Sequence, residues 1–189
     1  MTIPPSASVL TGKPAPSAQV AVARGILSEP FPLSQANSAA TQATQVLSGV
    51  LCPVQFGTVV SGVAVCIAVV AADAGLPTGV FVAITDLTGV RLAVSADVKA
   101  VAGWNTVGIF SFAFTTPWTV TADGAVYACL LKNGVWGTEA QIAKMTAVVG
   151  TGRALGSNAA GAVSQAAQAT GPGTATWVAT DLYPWLALV

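Results

Sequence analysis

The chain has 189 residues, of which 53% are hydrophobic and 7% are charged; seven Lys and Arg balance seven Asp and Glu. It contains no histidine, the commonest general base and metal ligand, which excludes most histidine-dependent catalysis and metal binding. The basic residues are scattered along the chain, and this argues against nucleic acid as a partner, because phosphate neutralisation needs clustered Lys and Arg.

Residues 1–44 form a proline-rich zone, and the prolines are Pro4, Pro5, Pro14, Pro16, Pro30 and Pro32. Proline at this density blocks helix interiors and central strands, so we expect an extended attachment arm. The segment Ser34–Gln45 leaves room for a short helix. Residues Met1–Pro5 have neither a basic start nor a long apolar stretch, so the sequence predicts no secretory signal and a cytoplasmic origin.

Residues 45–149 are predicted to fold as one antiparallel β-domain, because short apolar runs alternate with turn signals. The run Gly62–Ala72 is too short for a membrane-spanning helix, which needs about 20 residues, and is interpreted as a buried strand with no membrane span. The predicted strands are Val46–Phe56, Thr58–Ala71, Val80–Asp86, Arg91–Ala96, Thr106–Thr115, Trp118–Thr121, Ala125–Lys132 and Ile142–Val149.

Two local patterns support this all-β prediction. The run Thr106–Thr115 alternates, which places Phe110, Phe112 and Phe114 on one face of a strand and Val107 and Ile109 on the other. Asn133-Gly134 predicts a type I′ hairpin, because both residues tolerate positive φ angles. We therefore expect an antiparallel β-sandwich of the jelly-roll type, with an immunoglobulin-like sandwich as the alternative; the Cys…Trp…Cys spacing of immunoglobulin domains is absent.

Residues 150–189 form a Gly/Ala/Ser-rich extension that ends in an apolar tail, Tyr183–Val189. Because a free tail of this kind would expose a hydrophobic patch to water, we expect it to be buried in a sheet or in a subunit interface. The glycines of Gly150–Gly156 lack the spacing and the βαβ context of a dinucleotide-binding motif. We therefore predict no cofactor.

Few residues in the chain suggest catalysis or metal binding. Cys52, Cys66 and Cys129 are interpreted as small buried hydrophobic residues, since three thiolates without histidine leave a zinc site one ligand short. The seven carboxylates fall mostly at turns, where Asp binds its own backbone, with a calcium site or a glycosidase pair as alternatives. The prediction is no catalytic residue, no metal and no enzymatic activity.

The tryptophans are the strongest indication in the sequence of a binding surface. A ring beside polar loop residues, as at Trp104 and Trp136, can stack on a sugar; the competing interpretation is that such rings cap the sandwich or anchor a subunit contact. We carry all five as candidate glycan or subunit contacts: Trp104, Trp118, Trp136, Trp177 and Trp185.

Two stretches carry a family resemblance. Pro77–Asp97 (PTGVFVAITDLTGVRLAVSAD) and Phe112–Leu131 (FAFTTPWTVTADGAVYACLL) resemble small virion proteins of tailed bacteriophages, of the minor tail, head-fibre or capsid decoration type. The resemblance implies a jelly-roll domain displayed on a particle, often as a trimer, with an N-terminal arm for attachment. It implies no catalytic residues.

These observations predict a structural component of a phage virion, made in the host cytoplasm and located on the virion. The expected partners are further copies of the chain, as a homo-oligomer and in particular a trimer, and other capsid or tail proteins. The alternative is a glycan-binding host-adhesion module. Because charge is scarce, we expect the sandwich faces, the arm and the tail to be interfaces. Because the chain has no histidine, we also expect assembly to be insensitive to pH between about 5 and 8.

Overall fold

Strands account for most of the regular structure in a computed structural model of the protein, which describes residues 25–30, 33–71, 77–146, 162–165, 172–176, 178–179 and 182–189. Within these ranges the only helices are two short 3-10 turns, Leu33–Gln35 and Ala102–Asn105. Residues 1–24 of the predicted arm lie outside the described part of the chain, as do residues 147–149 of the last predicted strand.

Twelve strands are present in the described residues. They are β1 Ser38–Thr41, β2 Val46–Val54, β3 Val59–Val69, β4 Gly79–Thr85, β5 Arg91–Val94, β6 Gly108–Thr119, β7 Gly124–Asn133, β8 Gln141–Thr146, β9 Ala162–Gln165, β10 Val178–Ala179, β11 Leu182–Pro184 and β12 Leu186–Leu188. Six of the predicted strands between Val46 and Thr146 are confirmed to within a few residues, whereas Thr106–Thr115 and Trp118–Thr121 form one strand, β6. The short helix expected in Ser34–Gln45 is reduced to one 3-10 turn, because Ser38–Thr41 instead pairs with β8.

The strands form two antiparallel sheets packed face to face, which confirms the predicted β-sandwich. Sheet A has the order β1-β8-β3-β6, and β11 and β12 add to β8 and β3. Sheet B has the order β10-β9-β2-β7-β4-β5. The sheets extend beyond the predicted domain limits of 45 and 149, because β1 precedes that range and β9 to β12 follow it.

The hairpin predicted at Asn133-Gly134 is wrong. Strand β7 before it pairs with β2 and β4 in sheet B, whereas β8 after it pairs with β1, β3 and β11 in sheet A. The positive φ of Gly134 does occur, but it turns the chain across the sandwich. The turn signal therefore predicted the position of the bend correctly, but it predicted the wrong pairing partner for β8.

The inter-sheet core is built by the inward residues of alternating strands. Phe112 and Phe114 of β6 meet Val63 and Val65 of β3 there, as the phenylalanine alternation predicted. The strand break predicted between Thr115 and Trp118 is wrong, because β6 continues to Thr119. Its register against β3 shifts instead, since Val60 pairs with Trp118 and Gly62 pairs with Ala113. Between those points Phe114 bridges to Ser95 and links the edges of the two sheets.

Candidate functional site

One end of the sandwich, which we call the loop end, carries the loops after β3, β5 and β7. At this end the Trp104 ring stacks on the Phe112 ring, with the two ring centroids 4.9 Å apart. The centroid of the Trp136 ring lies 5.4 Å from that of Trp104. The Trp104 indole Nε1 donates to the Val98 carbonyl at 2.9 Å. Trp104 and Trp136 are only 3% and 5% exposed, so neither ring offers a face to a sugar.

The other tryptophans lie elsewhere. Trp185 is 1% exposed, and its indole Nε1 donates to Glu29 Oε2 at 3.2 Å. Trp118 is half-buried at the edge of the inter-sheet core. Trp177 lies outside the described residues. The structure therefore brings Trp104 and Trp136 together as a packed cluster and separates them from Trp185 by the thickness of sheet A, since Trp185 packs on its outer face.

A buried ion pair lies beside this cluster and was missed by the sequence analysis. Lys132 is 2% exposed, its Nζ lies 2.5 Å from Glu139 Oε2, and it lies 5.6 Å from the centroid of the Trp136 ring. The period of two in β7 places Lys132 on the same face as Ala128 and Leu130, which is the core face. That alternation was the signal available: Lys132 ends the predicted strand Ala125–Lys132, but no face of that strand was assigned to the core.

Three aspartates hold turns together, as the turn interpretation predicted. Asp86 accepts hydrogen bonds from the amides of Thr88 and Val90 and from the Thr88 hydroxyl. Burial is the largest single influence and raises the carboxyl pKa, but the hydrogen bonds together outweigh it, and the pKa of Asp86 is lowered. Asp123 accepts from the Phe56 amide at 2.6 Å, and so fastens the turn after β2 to the turn after β6.

The Asp97 carboxylate holds a loop in place through backbone hydrogen bonds. Its Oδ1 accepts from the Val80 and Lys99 amides at 2.9 and 3.0 Å, and Lys99 Nζ donates onward to the Thr78 carbonyl. The carboxylate therefore joins the start of β4 to the loop after β5. Within the described residues no group of three or more His, Cys, Asp or Glu is arranged to hold a metal ion.

The cysteines behave as the sequence indicated. None of the three cysteines forms a disulfide; Cys52 and Cys129 are buried and Cys66 is half-buried. Burial raises the pKa of Cys129 to about 12, and burial also raises the pKa of Cys52 far above its ordinary range. Neither buried thiol forms a reactive thiolate at neutral pH, so both pack as small apolar side chains.

The outer face of sheet A is covered by the chain itself. Ile26, Leu33 and Ala36 pack there over an apolar layer that includes Ala64 and Trp185. Residues from the zone predicted to be an arm therefore cover part of this face, and the expectation that the sandwich faces are subunit interfaces stays a prediction. A sheet with apolar residues on both faces accounts for part of the unusual hydrophobic content.

The outer face of sheet B is also apolar and buried, and a C-terminal element packs against it. Leu47, Cys129 and Leu131 are fully buried there, with Ala175 in the same cluster. Ala175 is fixed by its amide, which donates to the Gly89 carbonyl at 2.9 Å, and Arg91 donates to the Pro172 carbonyl at 2.6 Å. We call residues 162–189 the C-terminal strap, because their described parts contact both sheets.

Exposed large apolar side chains are found mainly at the two ends of the sandwich. The turn end, which carries the turns after β2, β4 and β6, exposes Phe56, Val59, Leu87 and Val90. The loop end exposes Val69, Val70, Val101, Val107 and Val135. Phe56 is the most exposed of them, at 71%. These ends, rather than the sheet faces, are the apolar surfaces that the described chain offers to a neighbour.

A shallow cleft lies where β1, β2, β8 and β11 approach each other. Gln42, Ser48 and Lys144 contribute to its lining, and its volume is about 20 Å³, enough for roughly one water molecule. No helix in the described ranges is long and apolar enough to cross a membrane. The chain matches no protein-family model, no curated protein and no solved structure.

Proposed function

We propose that strands β1 to β8 form a jelly roll. The strand orders β1-β8-β3-β6 and β2-β7-β4-β5 support this proposal. Consecutive strands fall in opposite sheets at every step except β4 to β5, which pair as a hairpin. Such alternation is the double Greek-key connection of eight-stranded jelly rolls, an architecture that recurs in viral capsid and lectin domains.

We further propose that the protein is a structural component of a bacteriophage virion, of the capsid decoration, head-fibre or minor tail type, and that it acts as a homo-oligomer. The observation that carries the proposal is the strand order, because it agrees with the architecture implied by the resemblance of Pro77–Asp97 and Phe112–Leu131. Trimer symmetry is part of the proposal. We assign the chain no enzymatic activity.

Association is proposed to use the arm and the apolar ends of the sandwich. Burying apolar surface contributes about 25 cal/mol per Å², and at the turn end Phe56 and Leu87 offer most of it. Only 7% of residues are charged, so little charge desolvation opposes contact. Zero net charge also removes the long-range repulsion that keeps many proteins monomeric.

The test compares native mass and particle incorporation for the full chain and for a chain lacking residues 1–24. This deletion leaves Leu27, Ser28 and β1 in place, all of which belong to sheet A. We expect the full chain to be a homo-oligomer and the deletion to lose incorporation into particles. A monomeric full chain, together with unchanged incorporation of the deletion variant, contradicts the proposal.

A glycan-binding role remains a prediction without a described site. The two loop tryptophans that suggested it, Trp104 and Trp136, are interior, and Trp118 keeps only part of its ring in solvent. We therefore do not advance glycan binding as a second proposed function.

A further inference from the structure

The connection from β7 to β8 begins with an Asn-Gly pair, a sequence prone to chemical change. Of the four asparagines only Asn133 is followed by glycine; the others are Asn37, Asn105 and Asn158. The side-chain carbonyl of an asparagine lies within one ring closure of the next backbone nitrogen, and glycine has no side chain to hinder that approach. In an unfolded chain Asn133 is therefore the asparagine most open to attack by its own backbone.

The reaction is deamidation, and its co-reactants are hydroxide and water. Hydroxide takes the proton from the Gly134 nitrogen, which bonds to Cγ of Asn133 and closes a succinimide ring. The Cγ–Nδ2 bond breaks, and ammonia leaves with a proton from water, which restores the hydroxide. Water then opens the ring. Breaking the new Cγ–N bond gives aspartate, breaking the original backbone C–N bond gives isoaspartate, and no group is oxidised or reduced.

The fold engages the attacking nitrogen elsewhere. The Gly134 N–H donates to Thr44 Oγ1 at 2.7 Å. Thr44 is itself held in place, because it bridges to Lys132 and the next amide, that of Gln45, donates to the Lys132 carbonyl at 2.7 Å. The segment between β1 and β2 therefore fastens the end of β7 and occupies the proton that ring closure must remove.

The carbon that would be attacked is restrained as well. Asn133 lies opposite Gly79 in the pairing of β7 with β4 and is 4% exposed. The period of two places its side chain on the outer face of sheet B, the face of Leu131. Gly134 is also closely packed, since an added methyl group would lie 2.9 Å from the Thr78 amide nitrogen. Ring closure therefore requires the end of β7 to leave this pairing.

We propose that Asn133 is a site of spontaneous deamidation that the folded sandwich suppresses, and that Thr44 is the residue that protects it. Conversion then occurs in molecules whose contact between Thr44 and Gly134 has opened. Its rate follows the population of that open state, because local opening and closing are fast relative to the chemistry. The inference does not depend on the proposed function, since every contact it uses lies within one chain.

Conversion makes a local opening permanent. An aspartate at position 133 places a carboxylate where a neutral amide is 4% exposed, and a buried charge without compensation is costly. Isoaspartate lengthens the backbone by one carbon and disturbs the pairing with Gly79. The residues that follow include Trp136 and Glu139, so we expect either product to loosen the tryptophan cluster and the ion pair of Lys132.

Peptide mass mapping of the full chain tests the proposal. The chain is kept at mildly alkaline pH, folded in one sample and unfolded in urea in another, and conversion at Asn133 is followed over time. We expect fast conversion in urea and much slower conversion in the folded chain. No conversion at Asn133 in urea, or equal rates in the two samples, overturns the proposal.

The protecting residue is tested by Thr44→Val, which removes the accepting hydroxyl and keeps the shape of an exposed side chain. Losing one ordinary hydrogen bond raises the open population about fivefold, so we expect conversion about five times faster in the folded variant and unchanged in urea. Thr115→Val is the matched control, because it makes the same change at an exposed position of β6. Equal folded-state rates for Thr44→Val and the unmodified chain overturn the role of Thr44.

Hydrogen exchange keeps the test decisive. If Thr44→Val does not fold, the Gly134 amide of the unmodified chain gives the answer: we expect slow exchange, and exchange as fast as in urea overturns the proposal. If the variant folds, we expect faster exchange at Gly134 and unchanged exchange at Leu131, which pairs with β2 and β4. Equal acceleration at both amides indicates a general loss of stability and overturns local protection by Thr44.

Discussion

At the scale of single residues, the structure uses its few charges to hold strands and turns in place. Lys132 is the clearest case, because its ammonium lies in the core and its neighbours are Glu139 and the Trp136 ring. Glu139 keeps about a quarter of its side chain in solvent. The pair is therefore asymmetric: the lysine depends on the glutamate, whereas the glutamate retains contact with water.

This asymmetry predicts unequal effects of removing each partner. Glu139→Ala leaves a buried ammonium without a counter-charge and is expected to lower the free energy of unfolding by about 3 kcal/mol. Lys132→Met removes the buried charge and keeps an apolar side chain of similar length, so we expect it to lower the free energy of unfolding by much less. Urea unfolding at pH 7 measures both, and equal losses in the two variants would contradict the asymmetry.

Glu29 gives the fold a pH dependence that composition alone does not indicate. Burial raises the pKa of its carboxyl, partly opposed by hydrogen bonds from the Trp185 indole and the Leu33 backbone. The folded state then binds this proton more tightly than the unfolded chain. Its stabilising contribution is present at low pH and is lost as the pH rises through the raised pKa.

We expect Glu29→Gln to remove this contribution and to flatten the change in melting temperature between pH 4 and 7. Asp86→Asn is the matched contrast, because the lowered pKa of Asp86 stabilises the fold at higher pH and this stabilisation is lost as the pH falls through it. Thermal unfolding from about pH 2 to 7 distinguishes the two signs, because the Asp86 contribution is lost only below its ordinary pKa of 3.8. A shift of the same sign in both variants would show that these carboxyls do not control the profile.

At the scale of elements, the C-terminal strap depends on a glycine in another turn. Gly89 has a φ of 91°, and its carbonyl accepts the hydrogen bond from the Ala175 amide. An added methyl group at this position would overlap the Ala175 carbonyl oxygen. The turn between β4 and β5 therefore serves both as a hairpin and as the docking point of residues 172–176.

Substitution at Gly89 is expected to disturb this docking as well as the turn. Gly57 has a similar φ of 79° with nothing within 4 Å of an added methyl group, so Gly57→Ala reports only the cost of the left-handed backbone, about 1 kcal/mol. We expect Gly89→Ala to cost clearly more in urea unfolding and to speed hydrogen exchange at the Ala175 amide. Equal costs and unchanged exchange would contradict the docking role.

At the scale of the whole molecule, the apolar composition is largely satisfied within one chain. The central strands are buried on both faces, because the inter-sheet core lies on one side and an outer apolar cluster lies on the other. Segments before and after the predicted domain supply part of that cover: Ile26 and Leu33 on sheet A, and Ala175 on sheet B. Low charge therefore reflects doubly buried sheets as well as apolar ends.

This arrangement predicts different outcomes for two N-terminal deletions. Removal of residues 1–44 takes away β1, its pairing with β8 and the bridge from Ser28 to Leu188, so we expect loss of cooperative unfolding. Removal of residues 1–24 keeps these contacts, and we expect cooperative unfolding to persist. Circular dichroism melting of the two variants provides the comparison; similar melting of both would show that β1 and Leu27–Ser28 contribute little.

The sequence by itself determined where most strands lie, which face of β6 enters the core, and that aspartates hold the turns. These properties depend on the period of two and on turn chemistry, and both act between near neighbours in the chain. The prediction that the apolar tail is tucked into a sheet is also confirmed, because β12 pairs with β3 and the Trp-Leu-Ala-Leu segment is buried. This could be predicted from the sequence, because a run of apolar side chains is unfavourable when it is exposed to water.

Only the tertiary structure decided which sheet each strand joins, which segments cover the sheets, and which charge meets Lys132. Strand partners are chosen by contacts between residues far apart in sequence, as when Leu188 meets both Val63 and Ser28. A turn signal such as Asn133-Gly134 cannot report whether the next strand returns to the same sheet or crosses to the other. The same physical reason explains why tryptophans in polar loops proved to be interior: their burial depends on what packs over them from elsewhere in the chain.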